Sequence, residues 1–512
     1  NRPFILDGQA RTFELMPEAI FGENVPGEII DIASDGQTLV LAMSGGKIAL
    51  LNPSTAELRK TIDAPNVQAV ALGDEGLFYV DGNRLHAVDV DSGESRAMKT
   101  PGVEAPGRIA IDRGGNLLVV DTGADSQVKA YNAQGELVYT VGEVGGRPIR
   151  GKWQPTGLLN ISDVAVDDNG QIWVVENYAY PRRVSVWRRP GRTQRAELVR
   201  DYIGNATYAG SGGHLHPTDP TLAYWGPVEM KIDRESHDYE VTRILWVPDR
   251  AKGEAFPMLH HSGHWFANPI IFTSDASGEQ RTYAYMNERR YHAVYMERGD
   301  VFEPVAAVAL VGAVSGHIAH RGEVIEPPSG EFEGLNAYDG IIWNDLNGDA
   351  AVQRDECIVF PAKKQGRRMA SDLPMGHYWG GRPDDDLSLY VDGIHRIRPV
   401  HFAEDGAPVY AGQSIEKLPT DDRGQYYPID DAGVLVWMSK QGYPRASLGI
   451  RGLDLETGRE LCSYPDPYPG VHGSHRAPMA SPGLVIGSLK TLGAAKVNRS
   501  EEHTSELQSL LI

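Results

Sequence analysis

The most constraining feature of this chain is a stretch that occurs twice. Residues 109–121, IAIDRGGNLLVVD, align without a gap with 164–176, VAVDDNGQIWVVE, at an offset of 55. In each copy an apolar run leads into an Asp, then a Gly-containing turn, then a second apolar run closed by a carboxylate. Short β-rich runs on either side of a Gly, Asn or Asp turn form antiparallel hairpins. Further runs follow, at 128–131 and 137–141 after the first copy and at 183–187 after the second. Four strands in about forty residues is the size of one β-propeller blade. Gly36, Gly76 and Gly115 mark the equivalent turn at intervals of about forty residues, which extends the repeat towards the N-terminus.

The pattern predicts an all-β chain, a β-propeller of four-stranded antiparallel blades. The apolar-Ala-apolar-Asp strand, the Gly turn, the second apolar strand and the Asp121-Thr122-Gly123 turn resemble NHL repeats, clearly over 106–188 and with less force from about 25. The second copy departs from that pattern, with Glu176-Asn177 in place of Asp-Thr. The turns Asp89-Val90-Asp91-Ser92-Gly93 and Asp454-Leu455-Glu456-Thr457-Gly458 are similar to those of quinoprotein-like blades, without the Trp that follows there. Asx and Gly turn chemistry explains them equally well. About ten units are legible before residue 498, more than the four to eight that usually close one propeller. The expected organisation is an extended lead-in over 1–19, an NHL-like propeller over 20–320, and further blades over 321–498 that belong to a second, truncated propeller. One large propeller with insertions in its later blades is the alternative. Residues 499–509, RSEEHTSELQS, resemble the translation of a sequencing adapter. That resemblance implies a metagenomic fragment whose tail, 499–512, is not native, and the tail is set aside for fold and function.

Composition narrows the partners. A net charge of −20 disfavours nucleic acid and anionic membrane surfaces. No run of 18 apolar residues exists, so no membrane-spanning helix is expected. The two cysteines, Cys357 and Cys462, form no C-x-x-C pair, which excludes Cys-based zinc and c-type haem sites. A soluble, secreted or otherwise extracytoplasmic repeat protein fits these limits, with a protein or small molecule as its partner.

Two motifs could carry chemistry. Residues 345–356 place Asp345, Asn347 and Asp349 at positions 1, 3 and 5, with the Ala351 carbonyl at 7, Gln353 at 9 and Glu356 at 12. Alternating hard oxygens closed by a bidentate Glu suit Ca²⁺. The segment resembles the calcium loop of EF-hands, with Ala350 where that family has Gly and with strands, not helices, expected on both flanks. The second motif is histidine beside glycine in the long loops after residue 200. In a propeller, loops that enter inner strands lie near the central channel. Imidazoles from different blades, with His264, His320 and His475 as candidates, would there hold Zn²⁺ or a similar transition metal. Two functions follow. One is a noncatalytic binding or interaction scaffold with a structural calcium. The alternative is a metal-dependent hydrolase or lyase, because NHL-type propellers resemble lactonases and amidating lyases that keep a metal near the channel.

Overall fold

The computed structural model describes residues 4–6, 13–15, 27–90, 92–177, 181–191, 194–204, 214–246, 270–288, 290–318, 323–365, 368–375, 383–392, 395–419, 424–429, 434–439 and 450–464. The chain divides into two compact units, one formed by 1–149 and 153–206, the other by 150–152 and 207–512.

The first unit contains four consecutive four-stranded antiparallel meanders. Sheet I is β1 (Ile29–Ser34), β2 (Leu39–Met43), β3 (Lys47–Leu51) and β4 (Leu58–Asp63). Sheet II is β5 (Val67–Gly73), β6 (Gly76–Asp81), β7 (Arg84–Val88) and β8 (Ser95–Ala97). Sheet III is β9 (Pro106–Ile111), β10 (Leu117–Asp121), β11 (Gln127–Tyr131) and β12 (Leu137–Val141). Sheet IV is β13 (Ile161–Val166), β14 (Gln171–Glu176), β15 (Arg182–Arg188) and β16 (Glu197–Gly204). The first strands β1, β5, β9 and β13 pack side by side in that order, as inner strands of propeller blades do.

The near-continuous apolar strands follow from this stacking. Successive side chains of a strand point to opposite faces, so a sheet covered on both faces needs apolar residues at every position. In β10, Leu117 and Val119 pack with Ala69, Phe78 and Val80 of sheet II. Leu118 and Val120 pack on the other side with Val164, Ile172 and Trp187 of sheet IV. Each such side chain contributes roughly 1.5–3 kcal/mol on burial.

The turns are held as their residue types require. Asp112 Oδ1 accepts the amides of Gly114 and Asn116, and Asp167 Oδ1 accepts those of Asn169 and Gln171 at the equivalent positions. In the turn after β7, Asp89 Oδ1 accepts the Ser92 amide, and in the later turn Asp454 Oδ1 accepts the Thr457 amide. Hairpin turns alone account for the two quinoprotein-like sequences.

The second unit is also β-rich but less regular. A five-stranded sheet runs in the order Gly151–Lys152, β20 (Asp238–Ile244), β19 (Val228–Asp233), β18 (Leu222–Trp225), β17 (His214–Leu215). A six-stranded sheet follows: β21 (Ile270–Ser274), β22 (Arg281–Glu288), β23 (Tyr291–Arg298), β24 (Val301–Leu310), β25 (Gly340–Asn344) and β26 (Cys357–Phe360). It carries apolar clusters on both faces, one with Tyr224 and Trp246, the other with Leu389, Val391 and Tyr410. Within it β24 pairs directly with β25, Ala306–Leu310 against Gly340–Asn344. A three-stranded sheet, β27 (Leu389–Val391), β28 (His395–Phe402) and β29 (Pro408–Lys417), comes next. The last is a four-stranded meander, β30 (Gly424–Ile429), β31 (Val434–Ser439), β32 (Ile450–Asp454) and β33 (Glu460–Tyr464). Among the described residues the only α-helical turn is Val311–Val314.

Candidate functional site

The oxygen-rich segment 345–356 connects β25 to β26, so its flanks are strands, as the sequence implies. Asn347 and Gln353 are joined to Asp349 at its mouth, with Asn347 Nδ2 and Gln353 Nε2 donating to Asp349 Oδ2 at 3.2 and 2.6 Å. The Asn347 amide also donates to Gln353 Oε1 at 3.0 Å. Ala350 takes the left-handed conformation, φ +58°, which the calcium-loop pattern assigns to glycine at this position. The ends of the loop are tied differently. Glu356 is buried, and its carboxylate accepts the amides of Leu346 and Asn347 and the indole of Trp343. The Asp345 carboxylate has no exposed surface and accepts from the Ala350 amide and the Arg298 guanidinium. Arg298 in turn reaches Asp405 at 2.6 Å. Burial opposes the charge on Arg298, yet the bonds to Asp405 and the nearby Asp345 raise its pKa above the ordinary value.

His264, His320 and His475 lie outside the described residues. Several described histidines serve the fold. His214 Nε2 accepts the Ile271 amide, and His216 Nδ1 accepts the Thr218 and Asp219 amides. His292 is buried against Tyr285, whose hydroxyl lies 2.6 Å from Nδ1, and His395 pairs with Asp392. Among the described residues no three His, Cys, Asp or Glu side chains are gathered closely enough to hold a metal ion.

A polar cluster that no sequence motif marks lies on the inner strands of the first unit. Each inner strand carries a β-bulge at one level. The pairing slips between Ile29 and Asp31, between Val67 and Ala69, between Pro106 and Ile109, and between Ile161 and Asp163. A bulge leaves an unpaired residue and re-aims the neighbouring side chains. Arg108 uses the carbonyls this frees: Nη2 donates to Ile30 O at 3.1 Å and Nη1 to Gln68 O at 3.0 Å. The same guanidinium pairs with Asp31 at 3.1 Å, and Asp31 Oδ2 accepts the Val70 amide. One residue thus staples three inner strands. Asp163, from the fourth, completes the cluster. Its carboxyl is open to solvent but ringed by protein, and that loss of hydration is the main cause of its raised pKa. The Asp31 charge adds to the rise and the Arg108 charge opposes it. The sequence does hold a signal for this cluster. Arg108 and Asp163 occupy the same position of the two repeat copies, a charged residue immediately before I-A-I and V-A-V.

No family model and no curated protein matches the chain. Among solved structures, virginiamycin B lyase from Staphylococcus aureus is 11% identical over 56% of this chain and 85% of its own, with a TM-score of 0.27. A streptogramin B lyase is 12% identical over 55% and 83%, with a TM-score of 0.27. The computationally designed protein Ika4 is 15% identical over 31% and 91%, with a TM-score of 0.24. At such scores the likenesses add nothing to the sheet order and strand packing described above.

Proposed function

We propose that this protein is a noncatalytic binding scaffold built from NHL-type blades, and that the 345–356 hairpin takes a structural Ca²⁺. The observation that supports the calcium reading is the mouth of the hairpin, where the Asn347 side-chain amide draws Asp349 Oδ2 and Gln353 Oε1 together beside the left-handed Ala350. Asn347, Asp349 and Gln353 would hold the ion, together with the Ala351 carbonyl. Asp345 and Glu356 would join by exchanging bonds they now make to Arg298 and Trp343. Such an ion stiffens a long connection, because metal binding to the folded state adds to its stability.

Thermal unfolding tests this reading. Millimolar Ca²⁺ is expected to raise the melting temperature by several degrees over a chelator-treated sample, and Asp349→Ala to remove that response while keeping the fold. Equal melting temperatures with calcium and with chelator would show that the hairpin's own hydrogen bonds are sufficient.

A further inference from the structure

A positive charge already stands at the 345–356 hairpin. Arg298, the last residue of β23, brings Nη1 to three oxygens: Asp345 Oδ2 at 3.2 Å, the Gly348 carbonyl at 3.4 Å and Glu303 Oε2 at 3.4 Å. Its Nη2 donates to Asp405 Oδ2 at 2.6 Å, in the turn between β28 and β29. The two ends of this bridge differ. The Asp345 carboxylate has no exposed surface, and its other oxygen, Oδ1, accepts the Ala350 amide, so both oxygens are in use. Among the described residues Arg298 is its one cationic partner. Asp405 is exposed and Glu303 is half-buried, so both keep water as an alternative partner. Arg298 can therefore give up Asp345 and still hold two carboxylates. Asp345 cannot lose Arg298 without gaining another cation, because a buried carboxylate left unpaired is costly.

We propose that Arg298 is a resident cation that calcium must displace from Asp345, so that calcium binding at 345–356 is coupled through Arg298 to the β28–β29 turn at Asp405. This inference rests on the calcium reading and adds the regulation of that site. An oxygen that donates fully to Ca²⁺ has little left for a guanidinium, and two cations at one carboxylate repel each other. Released from Asp345, the guanidinium keeps Asp405 and Glu303. The turn is a firm anchor for it. Asp405 Oδ1 accepts the Ala407 amide, and the Tyr283 hydroxyl of β22 donates to the Gly406 carbonyl. Coupling of this kind is reciprocal, so whatever strengthens Arg298 on Asp345 weakens calcium by the same factor. Asp405 competes with Asp345 for Arg298 and thereby favours calcium.

Calorimetric titration of the chelator-treated full chain with calcium chloride, together with melting curves with and without the ion, tests the coupling. Arg298→Gln is expected to tighten calcium binding by about fivefold. Its calcium-free melting temperature should fall, and its rise on adding calcium should exceed that of the wild type. Asp405→Asn keeps the oxygen that accepts the Ala407 amide and is expected to change the calcium-free melting temperature less. It should weaken calcium by about twofold, the scale of an exposed ion pair. The two variants thus move calcium affinity in opposite directions, which general damage to the fold would not do. Equal affinity in the wild type and both variants, or a loss in both, would overturn the coupling and leave the calcium reading standing. Calcium bound by Arg298→Gln but not by the wild type would support Arg298 as the resident cation and defeat calcium as the natural ligand. Calcium bound by neither would overturn both.

Discussion

Sheets III and IV start from matching sequences and end with different interiors. Where β10 closes with Asp121, β14 closes with Glu176, and both carboxylates are buried at the same place in the blade. Asp121 is met by Lys129 at 2.8 Å and by the amides of Glu104, Ala105 and Gly123. Lys129 also reaches Asp125, so a compact ammonium is shared by two acids. Glu176 instead lies between two guanidinium groups, Arg147 at 3.1 Å and Arg183 at 3.0 Å. Arg183 continues to Asp201, and Trp153 covers both arginines at 4.8 and 5.3 Å. The longer acid reaches a planar, forked partner, and Arg147 comes from the inserted loop between the two blades. One blade template thus accepts either device, provided that no buried charge is left uncompensated.

The largest effect is expected at the second device. Glu176→Gln leaves two buried guanidinium groups with only Asp201 between them, and should cost about 3–5 kcal/mol in urea unfolding. Asp121→Asn should cost less, about 2 kcal/mol, because Lys129 keeps Asp125. Equal costs would erase the distinction between the two blades.

A smaller contrast lies at the first turns. Tyr139 donates to buried Asp112 at 2.7 Å, whereas Trp173 donates to the half-buried Asp167 at 2.9 Å. Burial pushes the Asp112 pKa up, but the bonds from Tyr139, Asn116 and the turn amides outweigh it and hold the pKa below the ordinary value. The stability Asp112 contributes is therefore present above about pH 4 and lost as pH falls through its folded pKa. Tyr139→Phe should cost about 1.5–3 kcal/mol near neutral pH and less in acid, and Trp173→Phe should cost less than that.

Asp163 reverses the sign. Its pKa is raised on folding, so the unfavourable contribution is absent at low pH and grows as pH rises from the ordinary carboxylate value through the folded one. Asp163→Asn should therefore raise the melting midpoint slightly at neutral pH and give no gain near pH 3. Ala350→Gly is the mildest change, and relief of the left-handed backbone should add up to about 1 kcal/mol.

How far the site was legible in the sequence depended on distance along the chain. The gapless repeat identified Asp112 and Asp167 as turn-formers, and the structure shows both holding their own turns. The alternation in 345–356 located the oxygen-rich hairpin, but not that Arg298, about fifty residues earlier, would occupy one carboxylate. The cluster of Asp31, Arg108 and Asp163 was harder still. Its members are far apart in the chain, and the shared repeat position of Arg108 and Asp163 gives no hint of Asp31.

Local chemistry was therefore settled by the sequence alone: short strands, the turns between them, their antiparallel pairing and a four-strand period. All of these arise from hydrogen bonds and side-chain alternation within about forty residues. The tertiary structure decided which charges meet. Stacking brought the bulged level of four inner strands together, freed two carbonyls there and gave them to Arg108. It left Asp163 with the Val164 amide as its hydrogen-bond donor among the described residues. Which partner a charge finds is set by packing between blades, and a repeat that is nearly the same in each blade carries no record of it.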